Sequence, residues 1–187
     1  MKTLAIMGSA RPNGRTSGML DLLLKQLEGE YEIINAYKAH INPCTDDRYC
    51  WKKRGCSLKD GMQEIYRKID EADNIILASP MYFYSVPGPM KIIIDRLQMF
   101  WAGRLRNDKP KGFIKKGVIL MVGGAPAFEK QFLAGEIVLK AVLGDLSARC
   151  IGMVTFSNTD KENPVDSDVV KTSIKEIAAI LNSKNNV

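Results

Sequence analysis

Along the chain, short uninterrupted apolar runs alternate with stretches in which apolar residues recur every three or four positions. Residues 3–7, 74–79, 117–122 and 149–156 read as buried strands, and residues 31–37 as a weaker, alternating one. Between them the period changes to that of a helix. Met19, Leu20, Leu23, Leu24 and Leu27 share one face over residues 17–28. A second helix is predicted from Asp60, where Asp60 and Gln63 resemble a capping box ahead of Met62, Ile65, Tyr66 and Ile69. Met90, Ile93, Ile94, Leu97 and Trp101 mark a third helical face, with Pro89 suited to its first turn. Residues 128–143 read as a fourth helix. Val170, Ile174, Ile177 and Leu181 mark a fifth. Residues 38–59 show no clear period.

Strand and helix alternate throughout. That order argues for a parallel sheet with helices on both faces, and near-continuously apolar strands agree with it. Right-handed crossovers leave few topologies. Five strands and five helices fit the α/β flavodoxin-like, doubly wound five-stranded parallel sheet of order 2-1-3-4-5. The 187 residues are expected to form a single domain, 1–187. In such sheets ligands sit beyond the carboxyl ends of the strands. The loops after the first, third and fourth strands are therefore the places to look for chemistry.

The apolar start of the chain is too short for a signal peptide, and Arg11, Pro12, Asn13, Gly14 and Arg15 follow directly. No run approaches the roughly 20 apolar residues that span a bilayer. A cytoplasmic protein is the expectation, with no membrane partner. The net charge is +6, with local basic clusters at residues 52–54 and 104–116. Such a charge favours anionic ligands. No nucleic-acid motif accompanies it, so no nucleic-acid partner is expected. His40 is the single histidine, which excludes zinc sites built on two or three imidazoles.

The first loop runs Gly8-Ser9-Ala10-Arg11-Pro12-Asn13-Gly14-Arg15-Thr16-Ser17 and leads into a helix. Amides at a helix N-terminus bind anions, and Ser9, Thr16, Ser17, Arg11 and Arg15 add donors and charge. A phosphate fits this loop better than an ordinary polar turn does. The spacing matches neither a P-loop nor a dinucleotide fingerprint. The second loop, from Ser79 through Pro80, Met81, Tyr82, Phe83 and Tyr84 to Pro89, is unusually aromatic. It reads as a wall for a flat ligand, or as a packed loop or subunit contact. The third loop, with Gly123 and Gly124, lets backbone approach a ligand closely. Together the three loops suit a mononucleotide with a planar ring, FMN.

Three motifs carry a resemblance. Gly8-Ser9-x-Arg11 with Thr16, Ser79-Pro80-Met81-Tyr82-Phe83, and Gly88-x-x-Lys91-x-x-x-Asp95-Arg96 resemble the NAD(P)H-dependent FMN reductase and iron–sulfur flavoprotein family over roughly residues 3–125. The resemblance implies that Ser9, Arg11, Asn13, Arg15, Thr16 and Ser17 surround the FMN phosphate. It places Pro80, Met81, Tyr82 and Phe83 against the isoalloxazine, with Gly123 and Gly124 closing its other side. Many relatives have Asn where Arg15 stands. Lys91 and Asp95 are four apart and read as a helix-surface pair.

Some relatives place Cys-x2-Cys-x2-Cys-x4–7-Cys before the second helix, as ligands of a four-iron cluster. Here Cys44, Cys50 and Cys56 match three positions and Asp47 stands at the other. A plain structured loop, a cluster or zinc held with help from Asp47, and a redox disulfide all remain open, and no metal ligand is assigned. Cys150 lies in the last strand and reads as a small buried hydrophobe.

The implied function is an FMN-dependent NAD(P)H oxidoreductase. It would pass a hydride from the nicotinamide to FMN and then electrons to a quinone, a flavin or another small acceptor. No side-chain acid or base is required, so no catalytic residue is assigned. The alternative is an electron-transfer flavoprotein fed by a protein donor. A homodimer or homotetramer is expected from the family and from the aromatics around Tyr82–Tyr84 and Phe100-Trp101.

Overall fold

Five parallel strands form the sheet in the computed structural model, which describes residues 1–108 and 115–183. They are β1 (Lys2–Met7), β2 (Glu30–Asn35), β3 (Asn74–Pro80), β4 (Lys115–Val122) and β5 (Ala148–Phe156), in the order β2-β1-β3-β4-β5. This is the predicted flavodoxin-like order. Alternate residues explain why the inner strands are apolar throughout. Leu4, Ile6, Ile75, Leu77, Ile119 and Met121 pack on one face, under α3 (Met62–Glu71), α4 (Gly88–Arg96) and α6 (Leu133–Asp145). Ala5, Met7, Ile76, Ala78, Val118 and Leu120 pack on the other, against α1 (Arg15–Leu24) and α7 (Asp168–Asn182). Fully burying one such large aliphatic side chain is worth roughly 1.5–3 kcal/mol. Edge strand β2 is covered less, and only Ile34 of its six residues is buried. Its weak alternation in the sequence follows from that.

The amino-terminal edge of the sheet is closed by cations on helix C-termini. Lys115 Nζ donates to the Asp70 carbonyl at 3.2 Å and also to that of Ala72, at the end of α3. Lys116 Nζ reaches the Ile180 carbonyl at 2.7 Å and the Ser183 hydroxyl at 2.9 Å, at the end of α7. Burial pushes the pKa of both lysines down. Arg104 donates to the Gly144 carbonyl at 3.1 Å, at the end of α6. Three members of the basic cluster at 104–116 therefore satisfy helix ends from inside. Residues 109–114 of that cluster lie outside the described residues.

Several boundaries differ from expectation: the helix predicted over residues 17–28 is Arg15–Leu24, and the strand predicted over 31–37 is Glu30–Asn35. The helix predicted over residues 90–101 is two, α4 and α5 (Gln98–Leu105), broken at Leu97. The helix predicted from residue 128 begins at Leu133, because Lys130 takes a positive φ of 59° and turns the chain first. Asp60 does not form the expected capping box. Gln63 Nε2 donates to the Leu58 carbonyl at 2.6 Å, and the Asp60 carboxylate accepts from the Met62 amide at 3.0 Å while pairing with Arg96. A four-residue helix, α2 (Tyr49–Lys52), lies inside the aperiodic segment. No helix among the described residues is long and apolar enough to cross a membrane.

Candidate functional site

The sheet order makes the first, third and fourth strands neighbours, so their three loops meet at one edge. The Gly8 amide donates to the Ala78 carbonyl at 2.7 Å, and the Met81 amide to the Val122 carbonyl at 2.8 Å. Gly8 is required by close approach: a Cβ there would stand 2.6 Å from Met90 Sδ and 3.1 Å from Ser79 Oγ. All twelve residues singled out from the sequence lie at this edge, in the three loops or the helix turn that follows the first.

The first loop spends part of its polarity on its own shape. Ser9 Oγ accepts from the Arg11 amide at 3.2 Å, and Ser17 Oγ donates to the Gly14 carbonyl at 2.9 Å. Ser9, Thr16 and Ser17 are buried, while Arg11, Asn13 and Arg15 are exposed. Helix α1 starts from an extended Gly14 that offers no side-chain cap. Its first-turn amides and the positive end of its dipole thus face the loop uncapped, which is the donor chemistry an anion needs. Sequence reasoning missed Asn35, at the carboxyl end of β2, which donates from Nδ2 to the Ser9 carbonyl at 3.0 Å.

In the second loop, Tyr82 and Ser85 exchange backbone hydrogen bonds of 2.9 and 3.0 Å. Phe83 and Tyr84 between them take φ values of 47° and 64°. This is a two-residue hairpin turn of the type that favours Asn-Gly, occupied by two aromatics. Non-glycine residues in that region store roughly 1–3 kcal/mol each and cluster at ligand sites. The turn leaves Phe83 fully exposed at 101% relative accessibility, while Tyr84 packs edge-on against Phe128 at 5.8 Å. Nearby, Tyr37 has its pKa pushed up by burial and by the Tyr82 hydroxyl.

The third loop is held from behind. The Gly123 amide donates to the Phe156 carbonyl at 2.8 Å, so it is committed within the sheet. The Gly123 carbonyl accepts from the Thr159 amide at 3.0 Å and the Thr159 hydroxyl at 3.1 Å. A Cβ on Gly124 would stand 2.9 Å from both carboxylate oxygens of Asp160. Buried Gln131 links the two segments, donating to the Ala125 carbonyl and accepting from Ser157 Oγ at 2.6 Å. Arg15 Nε reaches the Thr159 carbonyl at 3.3 Å and ties the first loop to the same segment. Residues 157–160 are thus a fourth wall that sequence reasoning missed. The available signal was a polar Ser-Asn-Thr-Asp run directly after the carboxyl end of β5.

A second cluster lies between β2 and α3. Cys44, Cys50 and Cys56 line one pocket with Asp47 and Arg96. The Arg96 side chain is fully buried, pairs with Asp60 at 2.8 Å and donates to the Asn42 carbonyl at 2.8 Å. Its Nε is buried without a partner. Trp51 in α2 meets Trp101 in α5 edge-on at 5.3 Å. Burial pushes the Cys50 thiol pKa up, and the Cys56 and Cys44 thiols add to the effect. Lys91 and Asp95 form the expected exposed pair, at 2.6 Å. Cys150 is half-buried against the core on β5.

The described donors at the sheet edge fit a phosphate and a planar ring: an uncapped helix N-terminus, and an uncovered aromatic turn beside a glycine loop. Known proteins agree. The chain is 42% identical over 100 residues to an iron–sulfur flavoprotein of Archaeoglobus fulgidus, covering 52% of this chain and 46% of that protein. It is 35% identical over 120 residues to an iron–sulfur flavoprotein of Methanocaldococcus jannaschii, covering 63% and 62% respectively. The chain thus spans about half to three-fifths of the length of these curated relatives. In fold it is similar to an FMN-dependent NADH-azoreductase of Bacillus anthracis solved with FMN, with a TM-score of 0.69 at 14% identity, covering 97% of this chain and 99% of that one. Residues 1–161 match the NADPH-dependent FMN reductase family, to which this chain belongs.

Proposed function

We propose that the chain binds FMN at the carboxyl edge of its sheet and works as an NAD(P)H-dependent oxidoreductase. A quinone, a flavin or another small molecule is its electron acceptor. The observation that carries this reading is the convergence of the uncapped α1 N-terminus with the strained aromatic turn. Bound FMN supplies hydride acceptance from a reduced nicotinamide and electron delivery to a second substrate. The residues then divide the work of holding it. First-turn amides of α1, with Thr16 and the Ser9 loop, hold the phosphate, and Arg11 and Arg15 add positive charge. Pro80, Met81, Tyr82 and Phe83 form one wall of the ring site. Gly124 brings backbone to the other wall, where an amide donor favours negative charge developing on the ring. Gly123 shapes that wall without donating to it. Exposed Phe83 and its neighbours Tyr82 and Tyr84 also suit a subunit contact in a homodimer or homotetramer.

The test uses purified protein titrated with FMN and then given NADH or NADPH without oxygen. The expected result is a bound flavin whose visible absorbance bleaches on adding the nicotinamide. Protein that neither retains FMN nor oxidises NAD(P)H overturns the reading. Protein that holds FMN but ignores both nicotinamides, and accepts electrons from a reduced ferredoxin, is an electron-transfer flavoprotein instead.

A further inference from the structure

The curated relatives named above are iron–sulfur flavoproteins, yet the donor set of this chain does not fit a four-iron cluster. Such a cluster is held by four cysteine thiolates. The segment between β2 and α3 supplies three, Cys44, Cys50 and Cys56. The fourth thiol of the chain, Cys150, is on β5, the edge strand opposite β2 in the sheet order. It does not line the pocket that the other three thiols share. Asp47 occupies the sequence interval between Cys44 and Cys50, and its carboxylate is engaged elsewhere. One oxygen accepts from the Tyr49 amide at 3.0 Å and the other from the Ser57 hydroxyl. Among the described residues no three His, Cys, Asp or Glu side chains stand in a geometry that holds a metal ion.

The segment is instead fastened by protein. Arg96 reaches across its two ends, donating to the Asn42 carbonyl at 2.8 Å and to both oxygens of Asp60 at 2.8 and 3.2 Å. Asp47 and Ser57 close the middle of the loop, and Trp51 packs on Trp101. A long aperiodic loop costs conformational entropy to order, and a cluster, or a buried ion pair such as Arg96–Asp60 together with surface bonds such as Asp47–Ser57, can offset that cost. Here the polar bonds are in place.

We infer that this member of the family is cluster-free, and that Asp47 is the residue responsible: the Arg96 and Asp47 bonds do the fastening that a cluster would do. The inference does not depend on the flavin. Its test is iron and acid-labile sulfide per chain, measured on full-length protein reconstituted with iron and sulfide under anaerobic conditions. Wild-type protein is expected to retain far less than one iron. Asp47→Cys is expected to retain about four irons and four sulfides per chain, with the broad visible absorption of a cluster. Adding Cys56→Ser to that variant should abolish the uptake. Three or four stably bound irons in the wild type overturn the inference, and this arm needs no variant to fold. An Asp47→Cys protein as empty as the wild type, or uptake that survives Cys56→Ser, overturns the assignment to Asp47.

Discussion

A charged residue inside a core is informative because it must be matched atom for atom. Arg96 lies on the same helical face as Ile93 and the core, with a side-chain accessibility of 0% against 9% for Asp60. Breaking a buried pair by removing one partner typically costs about 3–5 kcal/mol. Burial by itself would raise the Asp60 pKa, but bonds from Arg96 and from the Asn42 and Met62 amides outweigh it and hold the carboxyl below its usual value. A group depressed in the folded state stabilises above its unfolded pKa, and that stability is lost as pH falls through the folded value. Urea denaturation should therefore show the wild type weakening progressively below about pH 4. Asp60→Asn should be less stable at neutral pH by about 2 kcal/mol or more and should change less across the acid range. Equal pH slopes for the two proteins would remove Asp60 from this role. Arg96 was not legible as a core residue in the sequence. A cation beside an apolar stripe usually lies on the surface, and only the long-range pairing with Asp60 shows otherwise.

Elements with uniform surroundings were readable, and those set by distant partners were not. The three inner strands stood out because helices cover both of their faces. The three candidate loops stood out because each follows a strand's carboxyl end. By contrast, α2 is four residues long and packs by Trp51, and the wall at 157–160 is held by Arg15 and Gln131 from other elements. Two predictions belong at this scale. Replacing the aromatic turn by Phe83→Asn with Tyr84→Gly should stabilise the apoprotein by about 1–2 kcal/mol, since both positions need φ > 0. Under the proposed reading the same change should weaken FMN binding, because it removes Phe83 from the ring wall. A lower denaturation midpoint in the apoprotein would show that strain in the turn is smaller than the loss of the Tyr84–Phe128 contact. At α1, Gly14→Asp places a carboxylate at the open helix start. Gly14 has φ −86°, which an Asp can adopt, though the new Cβ lies 3.0 Å from Arg11 Cβ and 3.3 Å from the Arg11 carbonyl oxygen, so the loop backbone at Arg11 must shift by a few tenths of an ångström. Relative to Gly, an Asp cap should add only about a few tenths of a kcal/mol to the apoprotein. It competes for the amides that would hold phosphate, so FMN affinity should fall by about tenfold or more, equivalent to losing one charged hydrogen bond. Riboflavin lacks the phosphate and should be little affected. Equal losses for FMN and riboflavin would place the phosphate elsewhere.

Across the whole molecule the two sheet edges carry opposite electrostatic arrangements. At the amino edge, Lys115, Lys116 and Arg104 neutralise the negative C-terminal ends of α3, α7 and α6. Lys116 spends its charge inside the fold, whereas Arg104 is half-exposed and is offset by its pairing with Asp145. At the carboxyl edge the α1 N-terminus is uncapped, and Arg11 and Arg15 stand exposed beside it. The open α1 N-terminus with Arg11 and Arg15 is therefore a local positive element at the candidate site, although the Asp160 carboxylate lies against Gly124 at the same edge. Under the proposed activity, this local charge predicts a difference between the two nicotinamides. NADPH carries one more phosphate than NADH, so it gains more from a positive approach path. Exposed charges are screened over about 10 Å at 0.1 M salt and about 3 Å at 1 M. Raising the salt from low to high should increase the KM for NADPH more steeply than that for NADH, with kcat little changed, because the field acts on encounter and not on the hydride step. Arg15→Gln should reduce that difference in slope. Its guanidinium also holds the Thr159 carbonyl, so apoprotein stability is measured alongside to separate a lost charge from a displaced wall. If the two nicotinamides respond equally to salt in both proteins, the positive edge serves the bound flavin phosphate alone.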